Sequence, residues 1–186
     1  MKASNDEWAE RRGVLRDVPS PTGAVPMTAK QLLECMADIE SRIAVMYGRF
    51  VVHFHDVPDV GALWETMSRE ELHHAELLSL AADVVDGAAV DATAIEHVET
   101  LQLLVAQQEA AQPAVVHLQD ALRVTADLEE AEAQHLHATL FHLGGAAREL
   151  AAHPAMAHRS RDLVEHVIRL FGGPALQQRL AWRRFH

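Results

Sequence analysis

Cysteine, aromatic residues and basic residues are all scarce in this chain of 186 residues. Its only cysteine, Cys35, excludes a disulfide within the chain and any four-cysteine iron or zinc module. Lys and Arg number 16 against 27 Asp and Glu, which gives a formal net charge of −11 and argues against a nucleic-acid partner. The sequence contains no apolar run of about 20 residues and no secretion signal. We therefore expect no membrane partner and a cytoplasmic location.

The composition favours an all-α fold. Hydrophobic residues make up 49% of the chain and aromatic residues only 5%. Ala, Leu, Glu and Gln are frequent while runs of β-branched residues are rare, which is typical of helical domains. Periodicity and capping signals predict long helices over 28–54, 59–85, 114–143 and 154–171, with a short helix within 88–112, a linker turn at 146–152 and a last short helix at 175–184.

These predictions divide the chain into three parts. Residues 1–27 contain several Pro and Gly and have no lasting periodicity, so we expect a flexible N-terminal arm. Residues 28–171 form a four-helix bundle of two antiparallel hairpins joined by a long crossover, and residues 172–186 form a C-terminal tail with the short helix. That order of helices is the topology of ferritin-like bundles.

The first two predicted helices carry ionisable residues at core positions. Steps of three and four residues define one apolar stripe on each helix, made of Leu33, Met36, Glu40, Ile43, Tyr47 and Phe50 and of Trp64, Met67, Glu71, His74, Leu78, Ala81 and Val85. An unpaired buried carboxylate costs on the order of several kcal/mol, so such groups are protonated, paired or bound to metal. Metal binding is the interpretation that explains the acids and the imidazole together.

The later helices offer further ligands. Glu129 and Glu132 lie three residues apart on the apolar stripe of the third long helix, and Asp162 and His166 can share a face of the fourth. Pairs of iron or manganese ions prefer hard oxygen donors that bridge them, with imidazoles beside them. Helical bundles meet this demand with two helices that each offer a Glu and two that each offer Glu-x-x-His.

Three segments resemble a rubrerythrin-type ferritin-like domain. Residues 37–47 and 63–78 are similar to the first half of such a domain, and residues 121–132 to its third helix, including the two glutamates three residues apart. The resemblance covers about residues 28–171. It implies a centre of two iron ions, with manganese as the alternative, that acts on peroxide or dioxygen with an external electron donor. It also implies a homodimer.

The fourth helix departs from that family. The family carries Glu-x-x-His there, whereas Leu163 stands three residues before His166. Asp162 or Glu165 could replace the missing glutamate. The cysteines of a rubredoxin module are also absent, so we expect no complete peroxide-reducing electron chain within this polypeptide.

A second assignment of the helices stays open. If residues 92–112 form the third helix of the bundle, Glu99 and the motif Glu132-Ala-Gln-His135 complete a full ligand set. Tyr47 also has two interpretations, as a hydrogen-bond donor to a ligand carboxylate or as an ordinary core tyrosine. Among the 13 histidines we interpret seven as surface or ordinary core residues: His53, His55, His97, His117, His137, His142 and His153.

Three functions are compatible with these patterns. The first is a non-haem dinuclear metal oxidoreductase. The second is a ferroxidase that stores iron in a larger assembly. The third is a metal-free helical interaction module whose inward acids pair with arginines, for which the candidates are Arg42, Arg49, Arg123 and Arg161.

The metal hypothesis predicts the behaviour of Glu71→Ala. We expect this variant to bind metal only at background level, because it loses a central ligand, while its helical circular dichroism is unchanged. Elemental analysis of the purified variant beside the wild type checks the prediction. An unchanged metal content would rule out Glu71 as a ligand.

Overall fold

The computed structural model describes residues 27–85, 87–143, 145–153, 156 and 161–174. This part of the chain is helical and contains no strand, so the all-α prediction is confirmed. Its helices are α1 (Ala29–His53), α2 (Pro58–Val84), α3 (Ala92–Ala111), α4 (Leu118–Leu143), α5 (Gly145–Ala151) and α6 (Arg161–Phe171). None of the described helices combines the length and the apolar character that crossing a bilayer requires. Residues 1–26 of the predicted arm and residues 175–186 of the predicted tail lie outside the described residues.

Helix α1 starts with a capping box, and α2 starts with a proline. The Thr28 hydroxyl accepts a hydrogen bond from the Gln31 backbone N–H at 3.3 Å, and the Thr28 N–H donates to Gln31 Oε1 at 2.9 Å. Helix α2 starts one residue before the predicted bound Asp59, because Val57 is its N-cap and Pro58 takes the first helical position. Asp59 lies in the first turn, where its negative charge interacts favourably with the positive end of the helix dipole.

A short turn joins α1 and α2 into a hairpin, which has the most extensive packing in the described structure. The hydroxyl of Ser68 on α2 donates to the carbonyl of Ala44 on α1 at 2.9 Å, so the two helices approach closely where their side chains are small. The predicted stripes are confirmed as core positions. The buried members are Leu33, Met36, Glu40, Ile43, Tyr47, Phe50, Trp64, Met67, Glu71, His74, Leu78 and Ala81.

Helix α3 is longer than predicted and lies in the segment that we expected to form the crossover between the two hairpins. The segment expected to hold only a short helix is a helix of 20 residues that packs against α1 and α4. It forms because Asp91 caps its first turn, with Oδ1 at 2.8 Å from the Ala94 N–H, and because its apolar residues recur at helical spacing. The buried residues of this stripe are Ala94, Val98, Leu101 and Val105.

Two polar clamps hold the C-terminal half of α3 on α1. Arg42 forms a bidentate ion pair with Glu109, with Nη2 at 2.6 Å from Oε2. Arg49 donates to Gln112 Oε1 at 2.8 Å, and Gln112 donates in turn to the Met46 carbonyl at 3.0 Å. Both arginines are therefore engaged at the α1–α3 interface, away from the inward acids.

The remaining elements also depart from the predicted bounds. Helix α4 begins at Leu118, four residues later than predicted, because 112–114 is a 3₁₀ turn containing Pro113. The predicted linker turn at 146–152 is wrong: helix α5 occupies this segment, which is rich in the helix formers Ala, Glu and Leu. Helices α5 and α6 both pack against α2 and α4. The predicted fourth helix is described only over Arg161–Phe171, since 154, 155 and 157–160 lie outside the described residues.

A buried hydrogen bond between α2 and α4 gives a test of this packing. The Trp64 Nε1–H donates to the Thr125 hydroxyl at 2.9 Å. In Thr125→Val the indole N–H keeps its burial but loses its acceptor, so we expect the free energy of unfolding to fall by about 1–3 kcal/mol in urea titrations.

Thr139→Val is the matched control, because among the described residues its buried hydroxyl bonds only to the His135 carbonyl within α4, at 2.7 Å. We expect a smaller loss there. Equal losses in the two variants would contradict a special role for the bond between helices.

Candidate metal centre

The ionisable residues of the apolar stripes meet where α1, α2 and α4 pack together. Glu40 on α1, Glu71 on α2 and Glu132 on α4 are fully buried, and His74 is 2% exposed. Glu129 is partly buried. The spacing of three residues within each of the pairs on α2 and α4 brings both members to the same helical face.

These five side chains form two groups that share one carboxylate. The ligand atoms of Glu40, Glu71 and His74 all lie within 4.8 Å of one another, and so do those of Glu71, Glu129 and Glu132. Five of the seven predicted ligands are therefore brought together, and Glu71 stands between the two halves.

The polar contacts inside the cluster leave part of it unsatisfied. His74 Nδ1 lies 2.8 Å from Glu71 Oε2 but 3.8 Å from Glu40 Oε2, which is too far for a hydrogen bond. Among the described residues, no N–H or hydroxyl group donates to either oxygen of Glu40 or to Glu71 Oε1. A contact between the carboxyl groups of Glu40 and Glu71 is a hydrogen bond only when one of them holds a proton.

The environment strongly favours the neutral carboxyl groups when no cation is bound. Burial raises the pKa of Glu40 to about 7 and the pKa values of Glu71 and Glu129 to about 8. Burial also raises the pKa of Glu132 well above its ordinary value, and the charges of Glu71, Glu40 and Glu129 add to this effect. Hydrogen bonds within the cluster lower the pKa values of Glu40, Glu71 and Glu129, but by less than burial raises them.

Tyr47 contacts the cluster as a hydrogen-bond donor. Its hydroxyl lies 3.2 Å from Glu129 Oε1, so the phenol donates to a carboxylate of the cluster. Burial raises the pKa of Tyr47 well above its ordinary value, and the nearby glutamates raise it further. The phenol therefore keeps its proton at neutral pH and remains a donor.

The structure does not bring the other candidate ligands together with these five. The backbone of Asp162 and His166 lies in α6, but their side chains, like those of Leu163 and Glu165, are outside the described part of the chain. Glu99 is exposed on α3 and points away from the core. The second assignment was therefore right about a third helix at 92–111 but wrong about Glu99.

Three histidines of α3 and α4 lie close together, which apolar spacing alone does not predict. The ring of His135 lies 5.3 Å from that of His97, which in turn lies 6.0 Å from that of His142. The prediction of His97 and His142 as surface or ordinary core residues fits their exposure but gives neither a partner. The seven-residue spacing of His135 and His142 is the signal in the sequence, because it places both on one face of a helix. His137 is partly buried near His74, and burial and then the charge of His74 lower its pKa.

Comparisons of the chain with models of protein families, with curated proteins and with solved structures found no match. The resemblance to rubrerythrin-type domains therefore stays a prediction. The function is argued below from the geometry of the carboxylate–histidine cluster.

The raised pKa values predict an unusual pH dependence of stability for the metal-free protein. The carboxyl groups of Glu40, Glu71 and Glu129 ionise near pH 4.5 in the unfolded chain but only at about pH 7–8 when folded. Their protonated forms favour the folded state, so this stability is fully present below pH 4.5 and is lost as the pH rises through 7–8. The free energy of unfolding of the metal-free protein therefore falls as the pH rises from about 4.5 to about 8.

Urea titrations of the metal-free protein at pH 5, 6, 7 and 8 test this, with Glu71→Gln as the comparison. Glutamine keeps the size of the side chain but does not ionise, so we expect a shallower dependence in the variant. Parallel curves for the two proteins would contradict the assigned ionisation of Glu71.

Proposed function

We propose that Glu40, Glu71, His74, Glu129 and Glu132 hold two divalent metal ions, iron or manganese, and that the protein is a non-haem dinuclear metal oxidoreductase acting on peroxide or dioxygen. The observation that supports this best is the sharing of Glu71 by two groups of ligand atoms, each within 4.8 Å. A carboxylate that belongs to two adjacent ligand groups is placed to bridge two ions.

The charge of the cluster matches that of two divalent ions. Four ionised glutamates carry a charge of −4 beside a neutral imidazole, and two divalent cations compensate it fully. Without cations, the same glutamates must take up protons against their ordinary pKa values, as Glu40 and Glu71 do. The oxygens of Glu40 that lack a donor are then explained as ligand atoms.

The types of ligand favour iron or manganese. Carboxylate oxygens with an imidazole are the donors that these ions accept, and the cluster contains no thiolate. In this proposal Glu40 and His74 would hold one ion, Glu129 and Glu132 would hold the other, and Glu71 would be a ligand common to the two groups. His166 and Asp162 on α6 remain predicted ligands.

The bound metal pair would supply the two electrons that reduction of a peroxide requires, and an external electron donor would restore them. The protein's own residues would bind the metal pair and orient its ligands. Tyr47 orients Glu129 through its hydroxyl. Burial keeps bulk water away from the reacting atoms.

The other two hypotheses make different demands on the structure. A metal-free bundle requires arginines that pair with the inward acids, and three of the four candidates pair elsewhere: Arg42 binds Glu109, Arg49 binds Gln112 and Arg123 binds Asp120. The side chain of the fourth candidate, Arg161, lies outside the described residues. A ferroxidase that stores iron would use the same centre, and it requires a cage-like assembly. The homodimer, the external donor and the cytoplasmic location stay predictions.

Anaerobic loading with ferrous iron, and separately with Mn²⁺, tests the proposal. We expect about two ions per chain in the wild type and fewer than about one in Glu40→Ala, because that variant removes a ligand of the first ion. We also expect peroxide consumption with a chemical reductant to fall at least about tenfold in that variant. Metal is measured by elemental analysis and assembly size by gel filtration.

Glu99→Ala is the control, because it removes a glutamate that is exposed on α3. This variant should bind as many metal ions per chain as the wild type and consume peroxide at the same rate. A wild type that binds no metal, or a Glu40→Ala variant that binds as much as the wild type, would overturn the proposal. A large assembly that mineralises iron would show the storage function instead.

A further inference from the structure

A second group of metal-ligating side chains lies outside the carboxylate cluster, between α3 and α4. His97 comes from α3, and His135 and His142 come from one face of α4. Asp91, the N-cap of α3, lies beside them with Oδ2 at 3.6 Å from His142 Nδ1. None of these four side chains belongs to the groups of the carboxylate centre.

Two of the three pairs of imidazole rings have a spacing close to that required by a common ion. The ring centroids of His97 and His135 are 5.3 Å apart, and those of His97 and His142 are 6.0 Å apart. Two imidazoles bound to one tetrahedral zinc have centroids about 5 Å apart, given a Zn–N distance of about 2.1 Å. His97 therefore lies near both histidines of α4, in the position that a ligand shared with each of them would occupy.

Two ring nitrogens in this group lack a hydrogen-bond partner. Nδ1 of His97 and Nδ1 of His135 are buried atoms, and no described residue donates to them or accepts from them. A buried polar atom left without a partner is costly, and a bound ion would supply one. Asp91 is fixed in a useful orientation, because its Oδ1 accepts from the Ala94 N–H while Oδ2 faces His142.

We propose that His97, His135, His142 and Asp91 form a second, mononuclear site for a divalent cation of the zinc class. Three imidazole nitrogens and one carboxylate oxygen suit Zn²⁺, Co²⁺ or Cu²⁺, whereas the oxygen-rich centre suits iron or manganese. No three of the four residues offer ligand atoms that all lie within 4.8 Å of one another in the described structure. The ion would close the site by rotating the side chain of His142, while Asp91 keeps its hydrogen bond to the Ala94 N–H. His142 and Asp91 are 45% and 54% exposed and give access from solvent.

This site does not depend on the proposed function, and the experiment keeps the two apart. The full chain with Glu40→Ala and Glu71→Ala lacks the carboxylate centre and serves as the parent protein. Zn²⁺ titrations by calorimetry should show one site in this parent. Addition of His97→Ala and His142→Ala should lower the affinity at least about tenfold, since two ligands are lost. Neither histidine belongs to the carboxylate centre.

Two further variants define the site. His55→Ala removes an exposed histidine whose Nε2 lies 3.0 Å from Asp56, so it matches the type of residue but not the location, and should leave Zn²⁺ binding unchanged. Asp91→Ser retains a side chain that can cap α3 but removes the carboxylate. It should weaken binding less than the double histidine variant does.

Co²⁺ spectroscopy on the wild-type chain keeps the test valid if the parent variant fails to fold. A tetrahedral site rich in nitrogen gives strong visible absorption bands, which should disappear in His97→Ala/His142→Ala and persist in His55→Ala. Zn²⁺ binding and Co²⁺ bands that are unchanged in the double histidine variant would overturn the proposal. An equal loss in His55→Ala would do the same, because it would show unspecific binding to surface histidines.

Discussion

The burial of several glutamates at one level of the helix packing is the constraint on which the rest of this structure depends. Glu40, Glu71 and Glu132 come from three helices and are fully removed from solvent, because each occupies a core position of an apolar stripe. The surrounding hydrophobic side chains cannot be buried without burying the acids too. The folded state must therefore compensate these groups with protons or with cations.

Two hydrogen bonds near these glutamates join α1 and α2 to α4. Trp64 on α2 and Tyr47 on α1 each bind a residue of α4, the first through Thr125 and the second through Glu129. These bonds connect the three helices that carry the cluster. Replacement of the acids by apolar residues of similar size would remove the burial cost, so the burial of these acids does not by itself stabilise the fold.

Helix α3 brings a second group of ionisable side chains together, at its contact with α4. Its clamps to α1 engage Arg42 and Arg49, which keeps these cations at the α1–α3 interface. Its other contact, with α4, creates the histidine group. Helix α4 therefore carries carboxylate oxygens at Glu129 and Glu132 and imidazole nitrogens at His135 and His142, and donors of these two kinds suit different metal ions.

The local features of the chain could be predicted well from sequence. The bounds of α1 and α2 agree with prediction to within one residue, and the buried faces are those that the apolar spacing indicated. Helical periodicity is a property of residues a few positions apart, so it needs no knowledge of the fold. The same argument identified Glu40, Glu71, His74 and Glu132 as inward residues.

The partners of these faces could not be predicted in the same way. Spacing shows which side of a helix is apolar but not which other helix covers it, since contacts between helices join residues far apart in the chain. For this reason apolar spacing predicts only a short helix within a crossover where α3 lies, leaves Glu99 open as a candidate ligand, and gives His97 and His142 no partner. The sequence by itself determined the helices and the acids that face inward. Only the tertiary structure decided that Glu71 belongs to both groups of ligand atoms and that the histidines lie close together between α3 and α4, because both depend on how the helices pack.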